Sequence, residues 1–170
     1  FNNVLAPKSE VFSFLKGVFS ELCSLFPSPY IHVGGDECAV RWWKESEETQ
    51  SFMCAHRLKN EKELHRYFIH YVQGVVNAKG KTLVGWDEIL EGGVSADCVV
   101  MNWRKSAQAV KALKNGHQVI VTPSAYTYLN IKESRRQKEL GFPGFLPLEK
   151  VYDLPILPDS LSDEQKSRVL

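Results

Sequence analysis

No stretch of this sequence approaches the ~20 consecutive apolar residues that a membrane-crossing helix needs. No signal peptide is visible, and residue 1 is Phe rather than Met, as expected for an excised or processed piece. The missing leader therefore decides nothing about compartment. A strong net charge is missing too, since 21 basic side chains stand against 20 acidic ones. That balance excludes the broad positive field that draws a chain to nucleic acid or to an anionic membrane surface. The basic residues within Lys59–Lys62 and Lys132–Lys138 are interspersed with acids and read as solvated helix faces. Cysteine is scarce, and Cys23, Cys38, Cys54 and Cys98 form neither a CxxC pair nor a Cys/His cluster. A disulfide scaffold is not needed at 170 residues, a length that buries one sizeable core. Cys23 and Cys98 lie in apolar runs and are expected to be buried free thiols. Repeats, low-complexity tracts and an internal domain boundary are absent as well, so residues 1–170 are expected to form a single domain.

What the chain does contain is alternation. In "SEVFSFLKGVFSELCSLF", Phe12, Leu15, Phe19, Leu22 and Phe26 recur at helical spacing, with Ser9 as the expected N-cap, and "PSP" stops the helix. A short strand follows at Tyr30–Val33, then a helix at Glu47–His56. A second amphipathic helix, Glu61–Ala78, carries Leu64, Phe68, Tyr71, Val72 and Val75. Further strands are expected at Thr82–Trp86, Cys98–Trp103 and Gln118–Pro123, with a helix at Ser106–Asn115 between the last two and a helical stretch after Asp159. Strands apolar on both faces, separated by crossover-length segments, indicate a parallel sheet sheathed in helices, an α/β fold.

Polar and aromatic residues gather where these strands end. The first ends in Asp36-Glu37, the second in Trp86-Asp87-Glu88, the third in Asn102-Trp103-Arg104, and the fourth runs on to Tyr126, Tyr128 and Asn130. Parallel α/β folds and barrels build their sites at the carboxyl ends of strands, so four such ends at one edge make one pocket. Indole and phenol faces with a few carboxylates suit a pyranose, whose C–H face stacks on an aromatic ring while acids bind its hydroxyls. Glycoside hydrolysis commonly needs two carboxyl groups across one bond. Adjacent residues on extended backbone point apart. In "YIHVGGDECAVRWWKE", Asp36 and Glu37 therefore either address different parts of a substrate, or one of them is structural.

Plainer readings stand beside these. Asp36-Glu37 can serve as a helix N-terminus, where acids satisfy free amides. Trp42 and Trp43 are expected to pack rather than to meet a sugar, and Asp87-Glu88 can cap the following turn. His56, His65, His70 and His117 receive no role. "GGDE" also occurs in the hairpin loop of diguanylate cyclases, but "RWWKESEE" does not alternate as a returning strand would. Asp36, Glu37 and Asp87 offer hard oxygens without a recognisable metal-loop spacing, so neither a metal nor a cofactor is expected.

Taken in order, "HVGGDE" followed by "WW", then "GWDE", "VVMNWR" and "VTPSAYTYLN" resemble the catalytic domain of glycoside hydrolase family 20, the β-N-acetylhexosaminidases. The resemblance implies part of a (β/α)8 TIM barrel, roughly strands four to seven with their helices. It also implies a retaining, substrate-assisted hydrolysis in which the sugar's own 2-acetamido oxygen is the nucleophile. Glu37 would be the acid and then the base, and Asp36 would hold the acetamido N–H. Trp86 and Trp103 would wall the sugar pocket, and Tyr128 would donate to the acetamido oxygen. Asn130 stands where many members have an Asp that binds outer hydroxyls. His32, Asp87 and Glu88 would lie at the pocket edge or behind it. Gly34 and Gly35 would let the backbone turn so that both acids reach the pocket.

The substrates implied are glycans ending in N-acetylglucosamine or N-acetylgalactosamine, and a periplasmic, cell-surface or secreted location is favoured. The family's early and final strands, with their sugar-gripping residues, are not represented here. The domain is therefore expected to be partial, truncated at both ends, inactive by itself and inclined to self-associate through exposed sheet edges. A carbohydrate-binding or structural piece without turnover is the alternative.

Overall fold

A computed structural model describes residues 4–134, 136, 138, 140–155, 157 and 161–170. Its elements are α1 (Ser9–Leu25), β1 (Tyr30–His32), α2 (Arg41–Glu45), α3 (Glu47–Ala55), α4 (Glu61–Asn77), β2 (Thr82–Trp86), α5 (Ile89–Gly92), β3 (Val99–Asn102), α6 (Ser106–Lys114), β4 (Gln118–Val121), α7 (Ser124–Thr127), α8 (Leu148–Tyr152) and α9 (Asp163–Lys166). Asp159, named above as the start of the last helical stretch, lies outside the described residues.

The strands form one sheet in the order β1-β2-β3-β4, every pair parallel. Chain neighbours are sheet neighbours throughout, so the order never reverses as it does in a doubly wound sheet. Ile31 pairs with Leu83, Val84 with Val99 and Val100 with Val119, which aligns the carboxyl ends at one edge. Leu83, Val84, Val99, Val100 and Val119 are all at most 4% exposed. Apolar, mostly β-branched side chains buried on both faces are what a parallel sheet under helices requires. The outer edge of β4 is not bare, because the Val119 amide donates to the Arg168 carbonyl (2.9 Å) and the Leu170 amide to that of Val119 (3.0 Å).

Local sequence explains most of the helices. Asn60 caps α4 by accepting from the Glu63 amide (3.1 Å), while Glu63 reaches back to the Lys59 amide (2.8 Å). The buried stripe of α4 is Leu64, Phe68, Ile69, Val72 and Val76, which leaves Tyr71 and Val75 at its margin rather than at its centre. The cap of helix α1 lies one residue earlier than expected, at Lys8. The Lys8 amide already turns onto Ala6, its carbonyl accepts from Phe12, and Ser9 becomes the first helical residue.

Helix α2 was not expected, and it separates the two tryptophans of "RWWKE". Trp43 is 3% exposed, stacks on Phe68 at 5.8 Å and donates its indole N–H to the Leu5 carbonyl (2.9 Å). Trp42 instead stays 48% exposed, with the Arg41 guanidinium 6.0 Å from its ring centre, so only Trp43 is a packing residue. Cys23 and Cys98 are buried, as expected. No described helix is long and apolar enough to cross a membrane.

Candidate active site

The backbone leaving β1 turns twice through left-handed glycines, Gly34 (φ 76°) and Gly35 (φ 95°), before the acids. This turn is tied to both flanking strands. The Gly34 amide donates to His32 Nδ1 (3.1 Å), and the Gly34 carbonyl accepts from the Trp86 amide (2.9 Å). A methyl on Gly35 would lie 2.8 Å from Ile89 Cγ2 and 3.4 Å from Ile69 Cδ1, so only glycine fits between α5 and α4. Glu37 itself sits at φ 46°, a left-handed region that residues other than glycine enter rarely. Both acids are exposed.

They open into a cleft of about 420 Å³ whose wall also includes Trp86, Trp103 and Tyr128. The five strand-end residues with the most specific expected roles therefore meet. Trp103 and Tyr128 stack with ring centres 6.3 Å apart and planes 16° apart. Burial, followed by the charges of Asp36, Glu37, Glu88 and Asp87, raises the Tyr128 pKa, so its hydroxyl keeps its proton and remains a donor. His32 stands outside the wall, in edge-type contact with Trp86, ring centres 4.7 Å apart. Accepting from Gly34 requires His32 Nδ1 to be unprotonated, which agrees with the lowering of its pKa by burial, partly offset by the Asp36 charge.

Asp87 is fully buried. It accepts from Asn102 Nδ2 (2.6 Å), from the Trp103 amide (3.1 Å) and from the Arg104 amide (3.2 Å), and it pairs with the Arg104 guanidinium. It caps no helix and reaches no cleft; it knots the ends of β2 and β3 together. Glu88 also lies behind the cleft, its oxygens 3.0 and 3.2 Å from the Trp103 indole nitrogen. Burial raises its pKa against the pull of that N–H and of Arg104. Asn130 is exposed and does not line the cleft. Its backbone carbonyl accepts from Phe142 (2.8 Å), and Phe142 does line the cleft, with Ile131 and Pro143.

Several of these residues were not anticipated. Ile131, Phe142 and Pro143 come from a Pro- and Gly-rich stretch with no periodicity to flag it. Glu37 also borders a second cavity of about 340 Å³, shared with Lys62, His65, Glu88, Glu91 and Arg104. Arg104 links it together, reaching Asp87, Glu91 (2.9 Å) and Glu88 (3.7 Å), while Glu91 takes Lys62 at 3.1 Å. The position of Arg104 directly after the tryptophan of a strand end was the available signal. Cys38 follows Glu37, but burial pushes its thiol up to about 11, which keeps it protonated and poorly nucleophilic near neutral pH. Among the described residues, no group of three or more His, Cys, Asp or Glu is arranged to hold a metal ion.

Comparison with known proteins adds an independent line. The sequence profile described as "Glycosyl hydrolase family 20, catalytic domain" matches residues 1–170. A β-hexosaminidase of Porphyromonas gingivalis is 40% identical over 97% of the chain, and one of Vibrio furnissii is 33% identical over 99%. The chain covers 22% and 28% of those two proteins, about a quarter of their length. Among solved structures, the family 20 exo-β-N-acetylglucosaminidase of Vibrio harveyi in complex with N-acetylglucosamine superposes with a TM-score of 0.90 at 30% identity. That match covers 98% of this chain and 27% of the other.

Proposed function

The chain belongs to glycosyl hydrolase family 20, and from that membership we propose that its cleft serves a retaining hydrolase that removes terminal N-acetylhexosamine from oligosaccharides or glycoconjugates. The sheet and its helices are part of a (β/α)8 barrel, and residues 1–170 act as one portion of a single catalytic domain. The observation that carries the reading is one cleft shared by two adjacent acids, two indoles and a tyrosine.

The chemistry follows from where these groups stand relative to one substrate. The acetamido oxygen attacks the anomeric carbon as the glycosidic bond breaks, while Glu37, as the carboxylic acid, gives its proton to the leaving oxygen. Asp36 accepts the acetamido N–H, whose positive character grows as the oxazoline ring closes, and its carboxylate stabilises that charge. Tyr128 donates to the acetamido oxygen and aligns it for attack. Water then enters from the face the leaving group vacated, gives a proton to the Glu37 carboxylate and bonds through its oxygen to the anomeric carbon as the bond from that carbon to the acetamido oxygen breaks. The ring reopens, and the configuration is retained. Trp86 and Trp103 present flat apolar faces to the sugar and exclude water. No step requires a cofactor.

The test is hydrolysis of a chromogenic N-acetylglucosaminide by the intact protein and by its Glu37→Gln variant. Loss of the acid and base should lower kcat/KM by about 100-fold or more. Sugar binding by the wild type without hydrolysis would overturn the enzyme reading in favour of a lectin-like one.

A further inference from the structure

Trp103 has one polar atom, the indole Nε1, and it donates to both carboxylate oxygens of Glu88 at 3.2 and 3.0 Å. Stacking on Tyr128 sets the spacing between the two ring faces, but a stacked ring can still slide and turn within its own plane. A bond at the rim removes that freedom. Glu88 is well suited to supply it. Its side chain is only 14% exposed, so water competes poorly for its oxygens. Its backbone is fixed at the start of α5, and its carboxylate lies 3.7 Å from Arg104 Nε, which is itself held by Asp87 and Glu91. An ionised acceptor makes a stronger hydrogen bond than a neutral one. The result is a brace from the end of β2 to the end of β3, outside the cleft but attached to its wall.

We propose that Glu88 is a positioning residue that sets the in-plane orientation of the Trp103 indole and thereby the size of the 2-acyl group accepted in the cleft beside Trp103 and Tyr128. The inference rests on the cleft being the N-acetylhexosamine site. Under it, Glu88 never touches substrate. With the brace cut, the indole turns, the wall loosens, and an acyl group one methylene longer is no longer excluded as well.

The experiment compares intact wild-type protein with Glu88→Ala and Glu88→Gln on two chromogenic glucosaminides, one 2-acetamido and one 2-propionamido, each also in a Trp103→Phe background. Glu88→Ala should lower kcat/KM for the acetamido substrate roughly tenfold, the loss of one charge-assisted hydrogen bond. It should also narrow the acetamido-to-propionamido ratio, for which one methylene commonly accounts for roughly 10- to 200-fold. Glu88→Gln, which keeps a neutral acceptor, should show part of both effects, and it carries the test by itself if the alanine variant does not fold. Neither substitution should change the ratio further once Trp103 is Phe, because the donor is gone. An unchanged ratio in an otherwise active protein, or an equal change in the Trp103→Phe background, overturns the positioning role alone. A wild type inactive on both substrates overturns the hydrolase reading and this inference with it.

Discussion

Asp87, fully buried just past β2, lies against Arg104, two residues past β3, so that one ion pair joins the two strand ends. A carboxylate stripped of water is tolerable only when its lone pairs are filled, and those of Asp87 are filled by a guanidinium, an amide side chain and two backbone amides. Removing it leaves these donors orphaned beside one another. Asp87→Leu should destabilise the protein by about 3–5 kcal/mol. Asp87→Asn, which keeps the shape but not the charge, should cost about 1–3 kcal/mol. Urea unfolding midpoints of the intact variants measure both, and equal stabilities would show that the pair does not hold the strand ends.

Two glycines should respond with opposite signs. Gly17 lies inside α1 with nothing within 4 Å of where a methyl would stand, so Gly17→Ala should stabilise by about 1 kcal/mol. Gly35→Ala puts a carbon 2.8 Å from Ile89 at a backbone angle alanine avoids, and should destabilise by roughly 1–3 kcal/mol while displacing both acids. A thermal melt beside an activity assay separates the two.

Burial lowers the pKa of His32, His65 and His117 below the ordinary 6.5. Between 6.5 and those lower folded values the unfolded chain binds the extra protons, so stability is complete above pH 6.5 and falls as pH drops through the window. Glu88 acts the other way: its folded value is raised above 4.5, so its contribution is full below 4.5 and lost as pH rises through that value. Three histidines against one carboxylate set the sign. Denaturation midpoints at pH 7.5 and 5.5 should differ, with the lower midpoint at pH 5.5, and His117→Gln should make the slope shallower. A midpoint that is flat or rises on acidification contradicts this.

The role assigned to Asp36 has its own test. A thiazoline that mimics the oxazoline intermediate should bind the intact protein tightly, and Asp36→Asn should weaken it by roughly tenfold or more, as expected when a charged hydrogen-bond acceptor becomes neutral. Calorimetric titration reads the difference. Unchanged binding would mean that Asp36 does not hold the acetamido group.

Much of this architecture could be read before any coordinates, for identifiable reasons. The strands are short β-branched runs bounded by breakers, and β2 spans Thr82–Trp86, as the residues alone suggest. The meeting of Asp36, Glu37, Trp86, Trp103 and Tyr128 was legible because parallel strands deliver their carboxyl ends to one place. What was hidden depended on distant partners. Asp87 looked equally able to cap a turn or face a ligand, and its burial is decided by Arg104, 17 residues away. His65 follows Leu64 on α4, and nothing local reveals that it borders the same cavity as Glu37. Helix α2 spans only five residues, too few to display a helical period.

The excursion between Thr122 and Pro147 leaves the last strand, lays Tyr128, Ile131, Phe142 and Pro143 over one side of the cleft, and pairs with itself through Asn130–Phe142 and Lys132–Leu146. Its start is tied to β3 through Thr122 and Ser124, whereas the part beyond Tyr128 is held by these bonds within itself, so Ile131, Phe142 and Pro143 can change without disturbing the register of the sheet or the turn that carries Asp36 and Glu37. Selection for a new saccharide would find adjustable ground in Ile131, Phe142 and Pro143, while Tyr128 stays fixed against Trp103.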